Sequence, residues 1–187
     1  MKLSRILDPR GTKIAYLGLA MAGNVAWACL ALLNLHTVTG EADWLTGARE
    51  LADWCIEHVQ TPTGFTGGYT GWAPDPVKYP WSSSEHNLDL YPVFTRLFQL
   101  TGAQKYATAA NIAAGFMNAM WNAGGGHFYT GTNADGTVNN APQYQVLDVQ
   151  SWYVLAFRPN LSSQYLRGLD WAKTHCFMPA YQSDHFP

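Results

Sequence analysis

Two acidic residues, Glu85 and Asp148, stand 63 residues apart in matching local contexts. Glu85 lies two positions before Asn87, and Asp148 lies two positions before Gln150. Asn24 precedes Asn87 by the same 63 residues. Carboxyl groups held at equivalent places in neighbouring units suit acid–base chemistry, in which one gives a proton while the other stays ionised. Asp89, one turn further on, is a third candidate for such a role. The first unit carries Ala22 at the matching place, so the repeat does not itself demand a carboxylate. Acidic residues also favour helix N-termini, where the dipole and free N–H groups stabilise them. Ser82 and Glu85 have the spacing of a capping box. On spacing alone, both a catalytic and a capping role are open.

The elements that would position these residues are helical. Thr39-Gly40 returns as Thr101-Gly102, and each unit reads as helix, tight turn, helix. The units cover about 20–60, 85–121 and 148–176, with long loops at 61–84 and 122–147. Repeated hairpins stack into a solenoid or a ring, and their loops gather on one face. The first inner helix is expected from about Asn24 to Val38, ended by Gly40. The first outer helix runs from about Ala42 to Val59, with Leu45, Ala48, Ala52, Cys55 and Val59 as its buried stripe. The second inner helix ends near Leu100 and contains Pro92, which lacks an N–H. Regular bonding should therefore begin near Asp89, or the helix should kink there. Its outer partner spans about Ala103–Trp121. The third unit starts at Asp148, turns near Pro159-Asn160 and ends with a helix over about Ser163–His175. Pro62, Gly64, Gly67, Gly68, Gly71 and Pro74 in loop 61–84 argue against a regular element there. The run Gly124–Gly131 suggests a short β-hairpin. Trp44, Trp54, Trp121 and Trp171 fall in helices and are expected to pack between them.

Composition narrows the function classes. The 187-residue chain, 48% hydrophobic and 13% charged, is expected to fold as one domain with a sizeable core. A net charge of −2 without a Lys/Arg run argues against nucleic acid and anionic membrane as partners. The apolar stretch Ile14–Leu33 is not read as a signal or anchor, because Asp8, Pro9, Arg10 and Lys13 crowd its approach and Gly23-Asn24 interrupts it. Cys29, Cys55 and Cys176 form no CxxC pair, which argues against zinc, and they leave the compartment open. Asn133, Asp135 and Gly136 do not make a calcium loop, since Gly131 and Pro142 occupy the outer ligand positions. No GxSxG, P-loop, dinucleotide-binding or HExxH motif occurs. No metal and no cofactor is expected.

Four segments together resemble a known family: Gly23–Trp27, Trp81–Tyr91 with its Glu-His-Asn core, Phe128–Thr132 with Asp135-Gly136, and Leu147–Trp152. They are similar to bacterial proteins of the six-hairpin glycosidase superfamily over roughly residues 20 to 175. The resemblance implies an all-α fold of three stacked helical hairpins forming part of an (α/α) toroid. It also implies a poly- or oligosaccharide as partner. Inner helices of such a ring line its cavity, so Glu85 and Asp148 should share one mouth. Glu85 is then the candidate acid and Asp148 the base or nucleophile of glycoside hydrolysis, which needs two such groups. His86, Asn87 and Gln150 follow on the rim as candidate substrate ligands, although Gln150 could instead satisfy loop backbone and His86 could be a buried structural histidine. Trp72, Trp81, Tyr69 and Tyr129 lie in the loops and could stack on sugar faces or pin the loops down. Six hairpins need about twice this length. An arc of three leaves apolar end faces, so self-association through them is expected. Two alternatives stay open: a non-catalytic carbohydrate- or partner-binding module, and an inactive half-toroid fragment.

Overall fold

The computed structural model describes residues 19–71, 75–158 and 161–176. Within them, six α-helices form three antiparallel hairpins. Helix α1 (Ala22–Thr39) turns at Gly40 into α2 (Ala42–His58). Helix α3 (Ser84–Thr101) turns at Gly102 into α4 (Gln104–Ala119). Helix α5 (Leu147–Ala156) leads, through one 3-10 turn at Ser163–Leu166, to α6 (Arg167–His175). Gly40 and Gly102 have φ of 73° and 67°, the left-handed backbone that lets a helix end and reverse at once. The expected boundaries hold within a few residues. The turn expected at Pro159-Asn160, the tail from Pro179, the approach before Ile14 and Trp72 lie outside the described residues.

Helix α3 packs against α1 and α5 as well as its own partner α4, so the three inner helices lie side by side. One cluster, from α1 to α4, buries Cys29, Leu33, Phe94, Leu97 and Tyr106 completely. Ala48, Ala52, Cys55 and Val59 of the α2 stripe belong to it at 0% exposure, while Leu45 is only partly buried. A second cluster joins α3 and α4 to the third unit through Leu88, Met117, Phe128, Val149, Tyr153 and Tyr165. Arg96 locks α3 to α1, donating from Nη1 to Asn34 Oδ1 at 2.6 Å and from Nη2 to the Leu33 carbonyl at 2.9 Å. Trp44 and Trp54 pack against the first cluster and Trp121 against the second. Trp171 instead stacks between His127 and His175, at 4.7 and 4.5 Å.

Three expectations need correction. Loop 61–84 is not free of regular structure. Strands β2 (Gln60–Thr61) and β3 (Gly64–Phe65) form one antiparallel pair. Strands β4 (Gly68–Thr70) and β5 (Val77–Tyr79) join β1 (Leu19–Met21) in a three-stranded sheet of order β1-β4-β5. These strands are only two or three residues long, and β3 and β4 each begin on one of the glycines. Pro92 does not delay α3, which starts at Ser84 and runs through it to Thr101. Nor is there a Ser82–Glu85 capping box. Ser83 is the N-cap, and its hydroxyl accepts from the His86 N–H at 3.5 Å. The expected hairpin in the second loop is present as β6 (Trp121–Asn122) and β7 (His127–Phe128). No helix of the described residues is long and apolar enough to cross a membrane.

Candidate active site

The start of α3 is built by the second loop. The Ser84 N–H donates to the Thr130 carbonyl at 2.8 Å, and its hydroxyl to the Tyr129 carbonyl at 2.6 Å. The Thr132 N–H donates to the Ser82 carbonyl at 2.8 Å. With its cap and loop contacts supplied by Ser83 and Ser84, the first turn of α3 leaves Glu85 exposed and without a side-chain hydrogen bond among the described residues. In α5, Asp148 is exposed as well, and one of its oxygens accepts from the Val149 N–H at 2.7 Å.

Glu85, Asp89 and Asp148 line one hollow of about 250 Å³, together with Trp27, Ser151, Trp152 and Leu155. Trp27 of α1 and Trp152 of α5 stack across it with centroids 5.4 Å apart. The acidic groups feel one another. Partial burial raises the Glu85 carboxyl above its ordinary value, and the Asp148 charge raises it further. Glu85 stays exposed, so solvent screens part of that repulsion. Asp89 is 1% exposed. Burial pushes its carboxyl up to about 7, the charges of Glu85 and Asp148 add to the rise, and the indoles of Trp152 and Trp27 pull it partly back. Neither Asp89 oxygen, however, makes a hydrogen bond of regular geometry, and the Trp152 indole N–H is likewise unpartnered.

The raised Asp89 value has a consequence for stability. The unfolded chain ionises this carboxyl near 3.8, whereas the folded chain resists doing so until about 7. Its protonation therefore favours the fold fully below the lower value, and that contribution is lost as pH rises through the upper one. The expected result is that Asp89→Asn flattens this fall. Between about pH 4 and 8 its stability relative to the unmutated chain should rise by on the order of 2–4 kcal/mol. Parallel denaturation curves across that range would remove the basis for an unusual Asp89.

His86 is 8% exposed. Its ring lies 5.8 Å from that of Trp81 and packs on the backbone of α1, where a Cβ added to Gly23 would meet it at 2.6 Å. Burial drops its pKa to about 4, so it is neutral near pH 7. Trp81 leans on Tyr79 at 5.2 Å and fills the space above Gly67. Tyr69 donates to the His58 carbonyl at 3.3 Å, and Tyr129 stands edge-on to His127 at 5.4 Å. His86, Trp81, Tyr69 and Tyr129 are not among the residues lining the hollow.

Asn87 and Gln150, expected as substrate ligands, are fully buried and occupied by loop backbone. Asn87 accepts from the Phe65 N–H at 2.9 Å and donates to the Phe65 carbonyl at 3.1 Å. Gln150 does the same to Phe128, at 2.8 and 2.9 Å. Each amide thus mimics a strand partner for a residue 22 positions upstream, in β3 and β7 respectively. Loop satisfaction, the alternative for Gln150, is the observed role there; Asn87 does the same, contrary to expectation, and the side-chain groups of both are taken. That equal separation is a sign legible in the sequence.

Trp27 and Trp152 are the residues that spacing did not single out for the site. Trp152 lies two positions after Gln150, as Asp89 lies two after Asn87, so the repeat placed it one turn inside the rim.

Solved structures share this fold. A protein of Listeria innocua superposes with a TM-score of 0.67 at 16% identity, over 85% of this chain and 47% of its own length. A family 76 glycoside hydrolase (mannosidase) of Bacteroides thetaiotaomicron gives 0.62 at 16%, over 82% and 43%. A family 76 alpha-mannanase of the same species gives 0.60 at 15%, over 82% and 44%. The chain spans less than half the length of these structures, and the likeness is one of fold. No protein-family model matches the sequence, and no curated protein does either.

Proposed function

We propose that the chain processes glycans, breaking a glycosidic bond at the mouth of the helical arc by acid–base chemistry. The observation that carries this reading is the convergence of Glu85, Asp89 and Asp148, from two successive inner helices, on one hollow walled by two indoles. Glu85 is the proton donor, because burial and the Asp148 charge hold its proton more firmly than usual. Asp148 is the base or nucleophile. The exposed side of Trp27 offers a sugar ring an apolar face. The glycoside hydrolases of similar fold support a carbohydrate substrate. Incubation of the purified chain with a panel of oligosaccharides, read by mass spectrometry for shortened products, tests the reading. Turnover of at least one glycan supports it. Binding without any turnover replaces it with a carbohydrate-binding module, a reading that the Trp27–Trp152 platform also favours.

Apolar side chains of all three inner helices reach the surface. Leu35 and Val38 of α1, Phe98 and Leu100 of α3, and Leu147 and Leu155 of α5 are all exposed. We propose that the chain self-associates through such surfaces, since large apolar patches are rare on soluble monomers. Light scattering on the eluted protein should give a mass of two chains or more, whereas a monodisperse monomer at high concentration overturns this.

A further inference from the structure

Asp89 is an exceptional acceptor. It is 1% exposed, lines the hollow, and neither oxygen makes a hydrogen bond of regular geometry among the described residues. An unpartnered buried carboxyl is costly, and either a proton or a cation relieves it. The surroundings favour a cation. Glu85 and Asp148 share the hollow, and among the described residues no Lys or Arg lines it. Two stacked indoles complete the wall, and aromatic faces attract organic ammonium groups. No three His, Cys, Asp or Glu side chains among the described residues are grouped to hold a metal ion. The buried Trp152 N–H faces Asp89 without making a bond of regular geometry, so it too can take a better-placed oxygen. One ligand class supplies both: a sugar with a protonated amine beside its hydroxyls.

We propose that the glycan taken at this hollow carries a free amino group, with its ammonium seated in the hollow on the side of Asp89 and the indoles and flanked by Glu85 and Asp148. This specificity rests on the glycan-processing reading and narrows it. The ammonium offers three N–H donors where a neutral sugar offers only hydroxyls. An N-acetyl group would remove the charge and add bulk, and Trp27 and Trp152 already meet at 5.4 Å.

The charged and titratable groups facing Asp89 are Glu85 and His86 on its own helix and Asp148 on α5, while α1 presents Trp27 and Gly23. His86 is neutral near pH 7, so ionisation of Asp89 and Glu85 governs cation binding. Affinity for a simple ammonium should accordingly rise from about pH 5 to pH 8, as Asp89 gives up its proton.

Calorimetry on the full chain tests the proposal with four probes: a glucosamine tetramer, its fully N-acetylated counterpart, a mannose tetramer and ethylammonium. The oligosaccharides are compared slightly below neutral pH, where the sugar amine is still protonated. The glucosamine tetramer should bind at least about tenfold tighter than either neutral oligosaccharide, a difference of about 1.4 kcal/mol. Ethylammonium should compete with it, more strongly at the higher pH. In Asp89→Asn the preference should fall to about twofold or less. Neutral oligosaccharides binding as tightly as the amine overturn this specificity and leave the glycan reading standing. Ethylammonium binding with no oligosaccharide bound overturns both, as does the absence of any binding. A preference unchanged in folded Asp89→Asn also overturns it, and the unmutated chain's pH dependence decides the matter if that variant does not fold.

Discussion

Glu85→Gln lowers kcat about 10³-fold on any glycan that the unmutated chain turns over, with binding changed less than about threefold. The amide keeps the size and hydrogen-bonding shape of the acid but cannot deliver its proton. Little folding stability is at stake, because Glu85 is exposed and Ser83, not Glu85, provides the cap. Asp148→Asn should cost a similar factor, since removing either member of an acid–base pair disables the unit. The two variants differ in pH behaviour. Asp148→Asn removes a charge that holds the Glu85 proton, so any residual activity should lose its alkaline limb at a lower pH than in the unmutated chain. Steady-state rates and glycan binding on the same preparations check this. If both variants turn over substrate at near wild-type rates, the chemistry is not at this mouth.

Gly131→Ala is the substitution with the largest expected structural effect. Gly131 has φ of 144°, and a Cβ there would lie 2.0 Å from the Ser82 carbonyl oxygen. That oxygen already accepts from the Thr132 N–H, and Gly131 pairs with Ser83 in an isolated bridge. Backbone must therefore move, and it is the backbone that seats the first turn of α3. A loss of about 3 kcal/mol or more is expected, combining clash and backbone strain. Gly136→Ala is the control: its φ is 83°, but nothing lies within 4 Å of the added Cβ. That change should cost only about 1 kcal/mol, from the left-handed backbone alone. Urea midpoints of the two variants separate the contributions. Equal midpoints would mean that the loop yields freely, and that Glu85 is not held by it.

The helices were legible because their signals are local. Ala48, Ala52, Cys55 and Val59 step at helical spacing and lie at 0% exposure, and a glycine marks the turn in each of the first two hairpins. The matched positions of Glu85 and Asp148 correctly placed both at one hollow. Strands of two or three residues have no room to show an alternating period, so β2 to β5 were invisible among the breakers. Of the two expectations at Pro92, the late start fails because helix context outweighed one missing donor. Asn87 and Gln150 were taken for ligands because their true partners lie 22 residues upstream, beyond the reach of helical spacing. Trp27 and Trp152 come from helices that meet only through the fold, and a stacking pair carries no mark in either segment.

Those two amide clamps also bear on how such a protein can change. Each grips the backbone of a phenylalanine, leaving the intervening stretches 66–86 and 129–149 anchored at both ends by the same hairpin. The second and third hairpins are in this respect cassettes, each with its own rim segment fastened to its own inner helix. Mutations between the anchor points that spare the contacts of Tyr129–Thr132 with Ser82 and Ser84 can remodel what the mouth recognises without renegotiating the helical frame. New selectivity is then accessible one cassette at a time.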